Sequence, residues 1–154
     1  MISKLNKALT FLLLALAACG PKNAVYLRYG NQLTQSDLRE ILGKNPLAPS
    51  ENIKVVTLGK GETVSHHIVQ IRDRETPHVH KDHDLTVVII KGGGYLILED
   101  KRIELAERDV LFIPRNIVHY FVNVSRQPSV ALVIFSPPYD GKDNIPVKPA
   151  KQRC

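Results

Sequence analysis

The amino-acid sequence predicts an all-β fold, a barrel or sandwich of short strands preceded by one short helix. Two observations predict this class. Between residues 53 and 135, short runs rich in Val, Ile, Leu and Phe alternate with turn residues. No helical spacing of apolar residues separates these runs, as it would in an α/β protein. Closely spaced strands of this kind are typical of barrels and sandwiches, which bury one face of each strand.

Eight strands are predicted in this segment, and turn residues separate them. They cover residues 53–58, 64–72, 85–91, 95–98, 102–105, 110–113, 119–124 and 130–135. The three glycines at 92–94 break one strand from the next, and residues 99–101 form a hairpin tip. Alternation along the strands places Leu85, Val87, Ile89 and Phe121 on the inner face, which predicts an apolar interior.

The N-terminus has the features of an export signal. Lys4 and Lys7 precede an apolar run that is too short to span a bilayer, and the run ends in Leu-Ala-Ala-Cys19. This ending resembles a bacterial lipobox, which implies removal of residues 1–18, lipidation of Cys19 and a membrane partner in the cell envelope. Gly20, in place of an aspartate, favours the periplasmic face of the outer membrane in a Gram-negative host. An ordinary signal peptide with a chance cysteine is the alternative.

The remaining chain divides into three predicted parts. Residues 19–52 form a tether and a short helix over 36–42, with Ser36 as its N-cap and Gly43 at its end. Residues 53–138 form the folded domain. Residues 139–154, rich in proline and basic residues, are expected to be a poorly ordered tail whose first residues pack on the barrel.

Charge and cysteine content restrict the function classes. The formal net charge of +6 comes from basic residues that are scattered along the 154-residue chain. Because no basic stripe is interleaved with aromatic residues, nucleic-acid binding is not expected. If Cys19 is lipidated, Cys154 has no intramolecular disulfide partner. The sequence does not distinguish a monomer from a homodimer.

Three histidines predict a metal site. His78 and His80 lie two apart on a short extended stretch, so both side chains point to the same face. His119 opens a distant apolar strand and can supply a third imidazole. Imidazole is a common ligand of divalent transition metals. His83 and Asp84, in the turn after His80, are candidate extra ligands; the alternative for each is a solvated polar residue of a loop.

The spacing of these residues resembles that of the small single-domain cupins. The matching positions of the two cupin motifs are His78, His80 and Gly92, followed by Pro114, His119 and Asn123. The resemblance covers roughly residues 53–138. It implies a double-stranded β-helix, also called a jelly-roll barrel, on which metal-dependent dioxygenases, isomerases, decarboxylases, storage proteins and ligand-binding regulators all occur.

The sequence departs from the cupin motifs at four positions. Leu85 stands where the family has a glutamate ligand, and Arg72 and Arg108 replace glycines. Asn116 replaces a turn glycine, a mild change because Asn tolerates the left-handed backbone conformation better than other non-glycine residues.

The absence of the family's glutamate ligand, at Leu85, has consequences for function. A metal held by three neutral imidazoles keeps its full charge and favours an anionic or chelating oxygen ligand. No second carboxylate or lysine stands out as a general acid or base. Two functions are therefore expected: capture of a small-molecule ligand or a metal, or a small dioxygenase that acts on an oxygen-chelating substrate. Since export through the general secretion route leaves metal selection to intrinsic affinity, zinc or copper is expected over iron, manganese or nickel.

Overall fold

The computed structural model describes residues 23–148, in which two five-stranded antiparallel sheets face each other. In chain order the elements are β1 Ala24–Tyr29, β2 Gln32–Asp37, α1 Leu38–Lys44, β3 Ile53–Lys60, β4 Ser65–Ile71, β5 His78–Val79, β6 Asp84–Lys91, β7 Gly94–Leu98, β8 Lys101–Leu105, β9 Val110–Ile113, β10 His119–Asn123, β11 Ser129–Ser136 and β12 Ile145–Pro146. The all-β prediction is confirmed. The eight predicted strands correspond to β3, β4 and β6 to β11, each within two residues at either end.

The chain passes repeatedly from one five-stranded sheet to the other. One sheet has the order β12-β5-β10-β7-β8 and the other β3-β4-β11-β6-β9. β5 and β10 are direct neighbours, although about forty residues separate them in the sequence. This topology brings the two predicted histidine segments together.

The apolar core fills the space between the sheets. The predicted inner-face residues Leu85, Val87, Ile89 and Phe121 all line this interior, so the alternation predicted from the sequence is confirmed. Leu85 pairs directly with Phe135 and Ile113 on the neighbouring strands, and all three are at most 6 % exposed. Burying a side chain of this size contributes about 1.5–3 kcal/mol to stability.

The helix packs on the outer face of the second sheet. Leu38, the buried residue of α1, lies in a second apolar cluster with Ile68 and Val130. The prediction of a short helix is confirmed, but the predicted cap is wrong. Asp37 is the N-cap and accepts a hydrogen bond from the Arg39 N–H at 2.7 Å. Ser36 lies in β2, because that strand continues up to the helix.

The segment predicted to be a tether contains a β-hairpin. β1 and β2 pair along their whole length. The last residue of β1, Tyr29, packs against Gly59, where an added Cβ would lie 2.0 Å from the tyrosine ring, and its hydroxyl hydrogen-bonds to His66 Nδ1 at 2.6 Å. The hairpin escaped prediction because β2 is mostly polar and exposed, so it lacks the alternation of a half-buried strand.

The first part of the predicted tail is folded. Tyr139, Asn144 and Pro146 line the cavity between the sheets, and β12 pairs with β5. The Val147 N–H donates to the Pro77 carbonyl at 2.9 Å. The expectation of a poorly ordered tail is therefore wrong for this stretch, because its contacts are with residues about sixty positions earlier. We refer to residues 137–148 as the strap.

The remaining predictions for the termini, namely the signal peptide, the lipidation of Cys19 and the role of Cys154, lie outside the described residues. Within residues 23–148, no helix is both long enough and apolar enough to cross a membrane.

Arg108 stands where the cupin motif has a glycine, and its backbone conformation can be tested directly. It has a φ of 79°, and Asn116 has a φ of 66°, so both of these replacements for a motif glycine have a left-handed backbone conformation. We expect Arg108→Gly to raise the free energy of unfolding by about 0.5–1 kcal/mol, because glycine adopts this conformation without the Cβ clash. Chemical denaturation measures the change. As a control, Arg126→Gly, at an exposed position without a positive φ, should bring no gain; equal gains in both variants would contradict the explanation.

Candidate metal centre

His78, His80 and His119 form one buried cluster. His78 lies in β5 and pairs directly with His119, the first residue of β10, and His80 follows β5 by one residue. Each is 3 % exposed. One ring nitrogen from each histidine lies within 4.8 Å of the others, and the ring centroids of His78 and His119 are 4.4 Å apart. The structure thus brings together the three residues that the sequence singles out, in an arrangement that can hold a metal ion.

Backbone carbonyls fix the orientation of all three rings. His78 Nδ1 donates to the Thr76 carbonyl at 2.8 Å, and His119 Nδ1 donates to the Ile117 carbonyl at 2.9 Å. His80 Nδ1 donates to the carbonyl of Asp143. A carbonyl oxygen only accepts hydrogen bonds, so each Nδ1 carries the proton and each Nε2 keeps its lone pair.

The three Nε2 atoms remain available for a metal. They have no hydrogen-bond partner within residues 23–148, whereas every fully buried polar side-chain atom described there has one. The Nε2 atoms must therefore face open space. Imidazoles held by hydrogen bonds at Nδ1, with Nε2 directed to a common point, are typical of metal-binding histidines. The donor set fits a divalent transition metal.

Burial keeps His80 and His119 uncharged. Burial, with a smaller contribution from the neighbouring His78, lowers the pKa of each of these two residues to about 4. Both imidazoles are therefore neutral near pH 7. Metal binding requires neutral imidazole, so these two ligands are ready for a cation at neutral pH.

We expect the metal-free protein to lose stability as the pH falls from about 6.5 toward 4. In that range the unfolded chain protonates His119, whereas the folded chain does not, so acid favours unfolding. Thermal denaturation of chelator-treated protein at several pH values measures the effect. Because carboxylates titrate nearby, the informative quantity is the difference from His119→Gln, which should show a smaller loss. An identical pH dependence in the two proteins would contradict the prediction.

The two candidate extra ligands have other partners. The Asp84 carboxylate is paired with the Arg115 guanidinium at 2.8 Å, which lowers the Asp84 pKa to about 2. His83 is buried and its Nδ1 lies 2.5 Å from Asp143 Oδ2. Neither residue belongs to the cluster of nearby ligand atoms found in the described residues. The structure therefore does not support the expectation that either completes the site, because an ion pair and a buried hydrogen bond hold them elsewhere.

Asp143, in the strap, is a site residue that the sequence did not indicate. Its carboxylate accepts hydrogen bonds from the N–H groups of Lys81 and Asp82, both at 2.9 Å, and binds His83. Burial alone would raise the pKa of Asp143, but these hydrogen bonds outweigh it and leave the pKa below its usual value. Asp143 therefore holds the turn after His80 with its side chain and His80 itself with its carbonyl.

Glu75 is a second carboxylate that sequence reasoning missed. The sequence showed no general acid or base, yet the structure places Glu75 in the wall of the interior cavity. Burial raises the pKa of Glu75, and the His78 charge and a hydrogen bond from the Phe121 N–H lower it in part. No sequence signal distinguished Glu75 from a surface residue, because it lies between two strands.

The histidine cluster opens into a cavity of about 290 Å³ between the sheets. The walls are mainly apolar and include Val69, Val87, Leu96, Leu111, Ala131 and Val133. Tyr139 of the strap also lines it and stacks on Phe135, with ring centroids 4.4 Å apart. A cavity of this size accepts a small molecule of mostly apolar character.

Two facing antiparallel sheets with a histidine cluster at the cavity between them define the class of small β-barrel proteins with a site inside the barrel. A family model for the cupin domain matches residues 54–135, more than half of the chain. The protein belongs to the cupin family.

Three comparisons illustrate this membership. An uncharacterized protein of Aquifex aeolicus is 42 % identical over 112 residues, which cover 73 % of this chain and 91 % of that protein. KdgF from Halomonas sp. has 23 % identity and a TM-score of 0.57, covering 64 % of this chain and 91 % of its own. Pac13, a nucleoside dehydratase, has 17 % identity and a TM-score of 0.53, covering 63 % and 79 %. At these sequence identities, the likeness to the two solved structures shows a shared fold and nothing more.

Proposed function

We propose that this protein is a cell-envelope cupin that binds a divalent transition metal through His78, His80 and His119 and uses it to capture a small oxygen-containing molecule. One observation carries the proposal: three Nε2 lone pairs face a largely apolar cavity, with all three rings oriented by backbone carbonyls. When bound, the metal would supply positive charge and open coordination positions for an oxygen ligand.

The cavity supports ligand capture over storage of the metal alone. A metal ion occupies a small fraction of about 290 Å³, so the remaining space suits an organic ligand. The apolar walls would exclude water and strengthen the attraction between the metal charge and an anionic oxygen. A carrier of the bare ion would gain nothing from these walls.

Metal analysis of protein purified from its native membrane tests the proposal. We expect about one zinc or copper per chain, because three nitrogen ligands without a carboxylate follow the intrinsic order that places these metals above iron and manganese. Predominant iron, with oxygen consumption when a substrate is added, would contradict the binding function. Metal-free protein with no affinity for zinc, copper or cobalt would contradict the site itself.

The second candidate function is a small dioxygenase that acts on an oxygen-chelating substrate. The cavity beside the cluster favours it, since substrate and dioxygen would both need room next to the metal. The comparison with Pac13 adds that this fold supports catalysis. Oxygen uptake by the iron-loaded protein with β-diketones and catechols separates the two functions: uptake indicates the enzyme, and tight binding without uptake indicates the binding module.

We expect Cys19→Ser to abolish lipid modification of the protein. The cysteine sulfur is the expected lipid attachment site, and serine offers no thioether linkage. Labelling of growing cells with a radioactive fatty acid, followed by immunoprecipitation of each form, measures the change. Cys154→Ser is the control and should carry the label. Unlabelled wild-type protein, or a labelled Cys19→Ser variant, would contradict lipid anchoring at Cys19.

A further inference from the structure

We propose that Glu75 is the second anchor point of the ligand site and selects molecules that carry a hydrogen-bond donor. The inference rests on the proposed function, because it assumes that a ligand oxygen occupies the metal at the histidine cluster. Three features of Glu75 support it: a fixed position, a carboxylate oxygen without a partner among the described residues, and a place in the cavity wall outside the set of metal ligands.

Glu75 is held in place by two hydrogen bonds to a single residue of β10. Its N–H donates to the Phe121 carbonyl at 2.9 Å, and its Oε2 accepts from the Phe121 N–H at 2.8 Å. The Glu75 side chain thus accepts the hydrogen bond from the Phe121 N–H that a neighbouring strand would otherwise accept. Because both bonds are to the backbone of a central strand, the carboxyl group is preorganised for contact with a ligand.

Within the described part of the chain, the other carboxylate oxygen has no hydrogen-bond partner. Within residues 23–148 the side chain of Glu75 makes one hydrogen bond, through Oε2, and no salt bridge within 4.0 Å. Fully buried polar side-chain atoms in this part of the chain all have partners, so Oε1 is not fully buried, and Glu75 lines the cavity between the sheets. A carboxylate oxygen against apolar walls gains from a hydrogen-bond donor, because leaving it unpaired in such surroundings is costly.

The position of Glu75 separates its role from metal binding. Its oxygens are not among the ligand atoms that lie within 4.8 Å of one another. Phe121, which holds it, lies two residues beyond His119 on β10, a distance of about 7 Å along a strand. A compact molecule can therefore contact the metal with an oxygen at one end and Glu75 with a hydroxyl or ammonium group at the other.

Two probes that differ at one group test this inference on the full chain in detergent. Allomaltol is a hydroxypyranone that chelates metals through two oxygens, and kojic amine is the same molecule with an aminomethyl group in place of the methyl. Both are titrated into the cobalt-loaded protein, and the visible absorption of cobalt reports binding. We expect the wild type to bind kojic amine about tenfold more tightly than allomaltol, because a hydrogen bond to a charged group adds at least this factor.

Glu75→Gln provides the matched variant. Its amide oxygen can still accept from the Phe121 N–H, so the fold is retained, while the ionisable carboxyl group is removed. The preference for kojic amine should fall to near one, with unchanged affinity for cobalt and allomaltol. Glu104→Gln, at an exposed position on β8, is the control and should keep the wild-type preference.

The outcomes separate the two proposals. If the wild type fails to bind cobalt, the proposed metal site is wrong. If it binds cobalt but shows no preference between the probes, Glu75 does not contact the ligand. If Glu75→Gln loses cobalt, Glu75 is a metal ligand and the inference is wrong.

Discussion

His119→Ala should abolish stoichiometric metal binding. The substitution removes one of three converging Nε2 donors, and the two that remain are neutral imidazoles without a carboxylate to compensate. We expect the metal content after dialysis against micromolar zinc to fall from about one equivalent to less than about 0.1. Elemental analysis together with calorimetric titration measures the effect, and circular dichroism establishes that the variant is folded.

His83→Ala is the matched control, because His83 is also a buried histidine near the site. The Nδ1 atom of His83 is bound to Asp143 and not directed at the metal. Removing the His83 side chain should therefore weaken metal affinity severalfold at most, by loosening the turn that follows His80. If His83→Ala empties the site while His119→Ala leaves it filled, the assignment of ligands is wrong.

Asp143→Ala should affect stability and metal affinity together. It removes the acceptor for two backbone N–H groups and for His83 in a buried setting, which we expect to cost about 2–4 kcal/mol in the free energy of unfolding. Because the carbonyl of the same residue orients His80, a displaced strap should also lower metal affinity about tenfold to a hundredfold.

Asp140→Ala is the control within the strap. Its carboxylate accepts one local hydrogen bond, from the Lys142 N–H at 2.8 Å, and the residue is exposed. We expect a change of less than about 1 kcal/mol and no loss of metal affinity. Equal effects of the two substitutions, measured by denaturation and by zinc titration, would show that the charge of the strap matters and that its contacts to the turn do not.

The sequence predicted the parts of the fold that depend on local patterns. Alternation assigned the inner face correctly at Leu85 and Phe121, and spacing of two brought His78 and His80 to one side. Asn116 was expected to tolerate a left-handed turn, and its φ of 66° confirms this. Each of these features is determined by residues within one strand or turn.

The features that escaped prediction depend on long-range contacts. Asp143 contacts a turn sixty residues earlier, and no local pattern indicates that pairing. Glu75 bonds to the backbone of Phe121, which no side-chain motif specifies. β12 contains Pro146, a residue that argues against a strand, and it pairs at the edge of its sheet, where a missing N–H is tolerated.

X-ray absorption spectroscopy of the zinc-loaded protein identifies the atoms that bind the metal. We expect a first coordination shell that contains three imidazole nitrogens at about 2.0–2.1 Å, with the remaining positions occupied by oxygen. The outer-shell scattering typical of imidazole rings should disappear in His119→Ala. A shell without imidazole scattering, or one that contains sulfur, would contradict the assignment of the metal to His78, His80 and His119.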